Sequence, residues 1–262
     1  MKTLPGILTA AVLGGMSSMA LAGGIGAGVE SVDTQHTAAG DKDWSGMVGA
    51  VVLSKPQYVG DDDNQGSAAP VIIVDYKDTA YFKINRAGYW FWKPNESWRV
   101  GAVLQIRPGA WDEDDDNIDD QKPFPSGFDD PDTTVEPGVN VRYKMDRFTA
   151  EAQLTAGEDA NAQLDLKYNL MQTAQFVVTA KLGLEYLGED EVNYQWYGDK
   201  GSLNNDSATN VTLGVTAIQT LNPSWKLLYG LQTTSLDDEI DDSPVGQDDS
   251  YTVAFFGAAY SF

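Results

Sequence analysis

The sequence predicts an all-β fold, a transmembrane antiparallel up-and-down β-barrel of about twelve strands, with about ten as the alternative count. Three observations carry that expectation. Apolar residues recur at every second position in segments of about ten residues, the length a tilted strand needs to cross a bilayer. Short turns alternate with long acidic loops, as in barrels whose turns face the periplasm and whose loops face outward. The chain closes on Phe256-Gly257-Ala258-Ala259-Tyr260-Ser261-Phe262, with every second residue apolar and Phe last. Phe256, Tyr260 and Phe262 in that arrangement resemble the terminal signal by which outer-membrane barrels are handed to the barrel-assembly machinery.

Lys2, the apolar stretch Ile7 to Met19 and the small-residue site Ala20-Leu21-Ala22 read as a signal peptide over 1–22, cleaved on export to the Gram-negative outer membrane. Gly14-Gly15 interrupts that stretch, which is short for a membrane anchor. Residues 23–42 follow as a flexible periplasmic segment, and 43–262 as the barrel. Strands are expected at 43–54, 69–76, 79–85, 87–93, 98–107, 134–145, 147–156, 161–170, 174–186, 209–220, 224–235 and 250–262. The hairpin 79–93 is required chiefly by parity, which keeps both ends of the chain periplasmic. Loops 55–68, 108–133, 157–160, 187–208 and 236–249 fall outside, and they hold most of the 39 acidic residues.

Each clear strand has one apolar and one polar face. The apolar faces are assigned to lipid, with a girdle of Trp44, Trp98, Tyr143, Tyr168, Tyr186, Trp225, Tyr251, Tyr260 and Phe262 near strand ends. On the polar faces, Arg99, Arg107, Arg142, Lys144, Lys167, Lys181 and Lys226 oppose Glu136, Glu151, Asp165 and Glu185, and these are the lumen-facing candidates. They permit two outcomes. An open lumen would be mildly positive and favour anions, as a small-solute diffusion channel. Alternatively, the charges pair across a narrow barrel and close it. Twelve or so strands lie between filled barrels and open porins, so size does not choose.

A formal charge of −22 argues against nucleic acid as a partner, and 12 Tyr, 9 Phe and 7 Trp argue against disorder. Lipid and lipopolysaccharide are the expected surroundings. Catalysis is not expected. The single histidine, His36, lies before the first strand, so a Ser-His-Asp arrangement has no base in the wall. The absence of cysteine excludes thiol chemistry and Cys-type metal sites, and no phosphate loop opens a helix. No cofactor, metal or catalytic residue is therefore assigned. The runs Asp61-Asp62-Asp63-Asn64 and Asp112 to Asn117 lack the turn glycine and closing Glu of an EF-hand and read as solvated loop; weak divalent bridging to lipopolysaccharide phosphates is the other reading. Trp111, Phe124 and Phe128, with loop 236–249, would be the anchors if the outer surface were an adhesin.

Several segments resemble the MipA/OmpV family of outer-membrane proteins: Tyr58-Val59-Gly60-Asp61-Asp62, Asp112 to Asn117, Tyr194-Gln195-Trp196-Tyr197-Gly198, Asp242-Ser243-Pro244-Val245 and Tyr260-Ser261-Phe262. Their order spans nearly all of the chain after the leader. Gln105-Ile106-Arg107-Pro108-Gly109 and Phe128-Asp129-Asp130-Pro131 depart from the family pattern. The resemblance implies a non-enzymatic scaffold joining a murein-hydrolysing lytic transglycosylase to a bifunctional murein synthase, with some relatives acting as surface adhesins or in osmotic response. It carries over no residue set for that contact.

Overall fold

Period-two alternation runs through most of the chain, and in the computed structural model it becomes one continuous antiparallel ladder. The structure describes residues 43–56, 58–59, 61, 64–110, 131–197, 206–244, 246 and 248–262. The leader 1–22, the segment 23–42 with His36, Asp62, Asp63, Asp112 to Asn117, Trp111, Phe124 and Phe128 lie outside the described residues.

The strands are β1 (Trp44–Pro56), β2 (Asn64–Tyr76), β3 (Ala80–Lys83), β4 (Arg86–Trp92), β5 (Trp98–Arg107) and β6 (Thr134–Met145), then β7 (Phe148–Ala156), β8 (Ala160–Gln172), β9 (Phe176–Leu187), β10 (Ala208–Thr220), β11 (Trp225–Ser235) and β12 (Ser250–Ser261). Each pairs with its sequence neighbours, and β1 pairs with β12 to close a twelve-stranded barrel. Closure leaves no sheet edge running the height of the wall, which is what allows strands to sit in lipid.

The outer face is a belt of exposed apolar side chains, among them Val48, Val52, Leu104, Val139, Leu154, Leu182, Leu213, Leu231 and Phe256. At the periplasmic ends, tryptophan and tyrosine face each other across adjacent strands. Trp44 meets Tyr76 at 4.5 Å between ring centroids, Trp98 meets Tyr143 at 4.7 Å, and Trp225 meets Tyr260 at 5.7 Å, each a direct register pair. Such pairs stiffen the ladder and place amphipathic rings at the bilayer boundary. Tyr251 departs from the expected girdle: it is buried, because alternation along β12 turns it inward.

Three strands depart most from expectation in length: β2 and β8 are longer, and β3 is only four residues. β2 begins five residues earlier than the apolar pattern indicates, since Asn64 to Ala68 carry little contrast between faces yet continue the pairing with β1 from Pro56↔Asn64. The β3–β4 hairpin is correspondingly low, and its tip is the two-residue turn Ile84-Asn85. Above it, among the described residues, β2 is bonded only to β1. The Ile84 amide donates to the Ile72 carbonyl, so Pro70, two residues on, also turns its backbone away from β1, where proline has no donor to leave unpaired. Ile84 itself adopts φ 51°, a left-handed conformation that a β-branched residue resists, and its side chain packs against an apolar cluster inside the barrel.

Candidate functional site

The interior has two unlike sides. From β12, β1 and β2, with contributions from β10 and β11, the inward residues are Met47, Val51, Leu53, Ala69, Val71, Ile73, Ile218, Leu228, Phe255 and Ala259, all buried in one cluster. In β1 and β2 the alternation is therefore apolar on both faces, and the expectation of a polar lumen fails on this side. The opposite side, from β3 to β9, carries the charges.

There the candidate residues meet in three groups. Near the external end, the Arg107 guanidinium contacts Glu136 at 2.6 Å, Glu185 at 3.2 Å and Glu191 at 3.7 Å. Midway down, Arg142 donates through Nε and Nη2 to one Glu151 oxygen at 3.2 and 3.0 Å, and its guanidinium lies 5.3 Å from the Trp90 ring centroid. Beside these, Asp165 meets Lys181 at 2.9 Å and Lys167 at 3.9 Å. The remaining candidates are elsewhere. Arg99 pairs with Asp78 in the periplasmic turn after β2. Lys144 faces inward near the periplasmic end of β6, and Lys226 is buried on β11, two residues from Leu228 and so on the apolar side.

Neutral side chains fill the intervals between ions. Arg86 donates to Gln153 at 3.0 Å and Gln163 at 3.1 Å, Gln153 donates to Gln105, and Asn140 donates to the Tyr81 hydroxyl at 2.6 Å. Lys83 and Tyr81 are not marked by the sequence because β3 is four residues long, too short for a face to show, and Arg86 is the first residue of β4, just past the hairpin turn. The signal was nonetheless present: Tyr81 and Lys83 alternate with Ala80 and Phe82.

The outer end is closed by chain folded into the mouth. After β9, Glu189–Val192 forms a single helical turn, α1, which runs into the π-helical turn Asn193–Tyr197. Glu191 is fully buried and reaches Arg107; Asn161 Nδ2 bridges it to Glu136, and the Glu158 amide and Gln195 donate to it. Gln195 also accepts from the Ala110 amide at 2.8 Å, and the Tyr197 hydroxyl donates to the Glu239 carbonyl at 2.9 Å in a second helical turn, α2 (Asp238–Asp241). Val192, Trp196, Tyr197, Tyr58, Leu236, Ile240, Tyr251 and Val253 pack into an apolar cluster over the mouth. Two carboxylates expected on the solvated outer surface are buried instead: Glu191 at 0 % and Asp61 at 6 % exposure. A loop residue turned inward leaves no periodic trace in sequence, although the segment from Tyr194 belongs to one of the motifs that carry the family resemblance.

Outside the plug the loops remain acidic. Burial first, and then Asp242, Asp249, Asp238 and Asp248, push the Asp241 carboxyl above its ordinary value. Burial, then Glu239 and Asp242, likewise push up the Tyr197 phenol.

Among the described residues, two narrow spaces border this packing. The lower one borders Asn85, Arg86, Gln105, Gln163, Lys181 and Thr212, and its water-sized room is only about 30 Å³. The upper one lies between Arg107, Glu185, Asn210, Tyr251, Gln195 and Trp196, with about 40 Å³ of such room. Spaces of that size suit water and not a hydrated ion in free passage.

A closed antiparallel barrel with an apolar outer belt and aromatic pairs at its rim defines an outer-membrane β-barrel protein. The profile of the family described as MltA-interacting protein MipA matches residues 48–262, and the chain belongs to that family. Among curated proteins, none matches it. Solved structures with a similar fold include the outer membrane channel DcaP of Acinetobacter baumannii, at 8% identity over 84% of this chain and 96% of that one, with a TM-score of 0.42. The NanC porin aligns at 12% identity over 83% and 100% with a TM-score of 0.40, and the anion-selective porin from Comamonas acidovorans at 10% over 84% and 98% with a TM-score of 0.36. At such scores the barrel rests on its own strand ladder, not on these likenesses.

Proposed function

We propose that the protein is a closed outer-membrane anchor that works by contact, without an enzymatic activity of its own, and that its periplasmic rim holds murein-processing enzymes near the membrane. The observation that carries the reading is the filled interior: ion pairs on one side, an apolar cluster on the other and a plug in the mouth leave no solute path among the described residues. A family described by its interaction with MltA supports a protein partner, and the resemblance drawn from the sequence implies its class, a lytic transglycosylase with a murein synthase as the second member. Under this reading the docking surface is the set of short turns around Asn95, Asp146 and Asn222, where side chains are exposed, together with the segment before β1. Phe256, Tyr260 and Phe262 serve barrel assembly, and the lumen candidates hold the barrel rigid.

The test combines two measurements. Photo-crosslinking residues placed at Asn95, Asp146 and Asn222 in living cells are expected to capture a lytic transglycosylase. Capture of lipid and assembly factors alone rejects the scaffold. The purified barrel is expected to be silent in planar bilayers, and a steady conductance altered by Arg142→Glu or Lys181→Glu would make it a diffusion channel instead.

A further inference from the structure

The charged side of the lumen changes sign along the barrel axis. Near the external end, Arg107 stands among three carboxylates, Glu136, Glu185 and Glu191. Below it the cations prevail. The Glu151 carboxylate is held by Arg142 in contact and by Lys83, Lys167 and Arg86 at longer range, and Lys181 adds a fifth positive charge beside Asp165. On the acidic side Asp75 joins Glu151 and Asp165, acting on Lys83 from a distance. Five cations thus face three carboxylates in this group.

Strand register sharpens the imbalance. Lys83 lies directly opposite Arg86, and Lys167 directly opposite Lys181. Like charges in direct register destabilise a sheet, and burial removes the water that would screen them. Lys83 is the extreme case. It is 7% exposed, its direct partner on β2 is the apolar Ile73, and its ammonium stands 5.4 Å from the Tyr81 ring centroid. Among the described residues no carboxylate lies within ion-pair distance of it. A lysine is seldom buried so far without a counter-charge.

We propose that a small inorganic anion of chloride size binds in the lower lumen, held by Lys83, Arg142 and Lys167. It supplies the negative charge that the register leaves wanting. Water still reaches all three side chains, which keep 7%, 9% and 11% of their exposure, so the packing offers room for a species of about water's size. Toward the periplasm the inward-facing Lys144, Thr149 and Asn169 are partly exposed, and the ion enters and leaves from that side, beneath the closed mouth. The site therefore holds an anion without conducting it, and it is independent of the periplasmic scaffold.

Trp90 reports on the site, because its buried ring lies 5.3 Å from the Arg142 guanidinium. Its indole N–H signal in the folded, detergent-solubilised barrel is identified by its disappearance in Trp90→Phe, and that of Trp44 by Trp44→Phe. When sodium chloride replaces sodium gluconate at constant ionic strength, the Trp90 signal is expected to shift and saturate, while Trp44 on the periplasmic rim stays fixed. Bromide, of similar size, is expected to reproduce the shift. The unfolding constant in urea is expected to fall about tenfold once chloride reaches about ten times its dissociation constant. Lys83→Met and Lys167→Gln are each expected to weaken binding about tenfold, and Lys93→Gln on the exposed rim to leave it unchanged. Heat-modifiable migration shows which variants have formed a barrel, and Lys167→Gln carries the test if Lys83→Met does not fold. A Trp90 signal indifferent to the exchange of gluconate for chloride overturns the proposal and leaves Lys83 to water. A saturating shift that survives in both lysine variants of the site also overturns it, since the ion would then lie elsewhere.

Discussion

The two sides of the lumen solve the same packing problem with opposite chemistry. On the apolar side, Phe255 lies over Gly230, its direct partner across β11 and β12; on the charged side, Tyr81 lies over Gly88, its direct partner across β3 and β4. In both places a ring covers the bare backbone of a glycine in the neighbouring strand. The difference is at the ring's far end. Phe255 finishes in an apolar cluster, whereas the Tyr81 hydroxyl accepts a hydrogen bond from Asn140 and so enters the polar network. One side therefore resembles the core of a water-soluble protein, stabilised without directional demands. The other is over-specified: each charge needs its partner, and removing one strands the rest.

The largest effect separating the sides is expected from Arg107→Ala. It leaves Glu136, Glu185 and Glu191 close together without their guanidinium, two of them fully buried. Loss of about 3–5 kcal/mol is expected in urea unfolding of the lipid-embedded barrel. Because Glu191 is carried on the plug, segment 188–197 should also become open to protease. Unchanged unfolding with a protected plug would show that the cluster is decorative.

Ile73→Ala, on the apolar side, is expected to cost about 2–4 kcal/mol by cavity formation. Here the distinction is qualitative. The plug should stay protected, and the loss should be the same at low and high salt, since no charge has been exposed. Salt dependence as large as that of Arg107→Ala would mean that the two sides are coupled through the barrel wall.

The contrast between the sides also explains what could be read from the sequence. β5 and β6 begin and end where the pattern places them, because Arg99, Arg107, Glu136 and Arg142 alternate with Val100, Leu104, Val135 and Val139 and mark both faces. β1 gives no such contrast. Met47, Val51 and Leu53 point inward and Val48 and Val52 outward, and all are apolar. Period two then reveals a strand but not which face meets lipid, so the apolar half of the lumen was invisible. Glu191, Gln195 and Trp196 were invisible for another reason: their burial depends on a loop turning back into the barrel, a tertiary event without periodicity.

A smaller and more symmetrical test uses the two glycines. Gly230→Ala and Gly88→Ala each set a methyl against a ring and are expected to cost about 1–3 kcal/mol by overpacking. Gly88→Ala should lose more, since shifting Tyr81 also breaks its bond with Asn140. Near-ultraviolet circular dichroism reports both rings, and equal losses in the pair would indicate that this hydrogen bond contributes nothing net.

The smallest effect concerns the plug's apolar lid rather than its charged latch. Tyr197→Phe keeps the ring in its cluster and removes only the bond to the Glu239 carbonyl, for a loss of about 1 kcal/mol at neutral pH. Its value lies in the pH dependence. Burial holds the Tyr197 phenol above its ordinary value, near 10, so the closed plug binds that proton more tightly than an open one. Closure is then unaffected below that range, weakens as pH rises through it, and has lost the contribution once the raised value is passed. Tyr194, whose phenol burial also pushes up, adds a change of the same sign. Hydrogen exchange of segment 188–197 should therefore accelerate above about pH 10 in the wild-type barrel, and less so in Tyr197→Phe. If the two curves coincide, the plug is held by Glu191 and Arg107 alone, and the apolar lid over the mouth is a consequence of closure and not one of its causes.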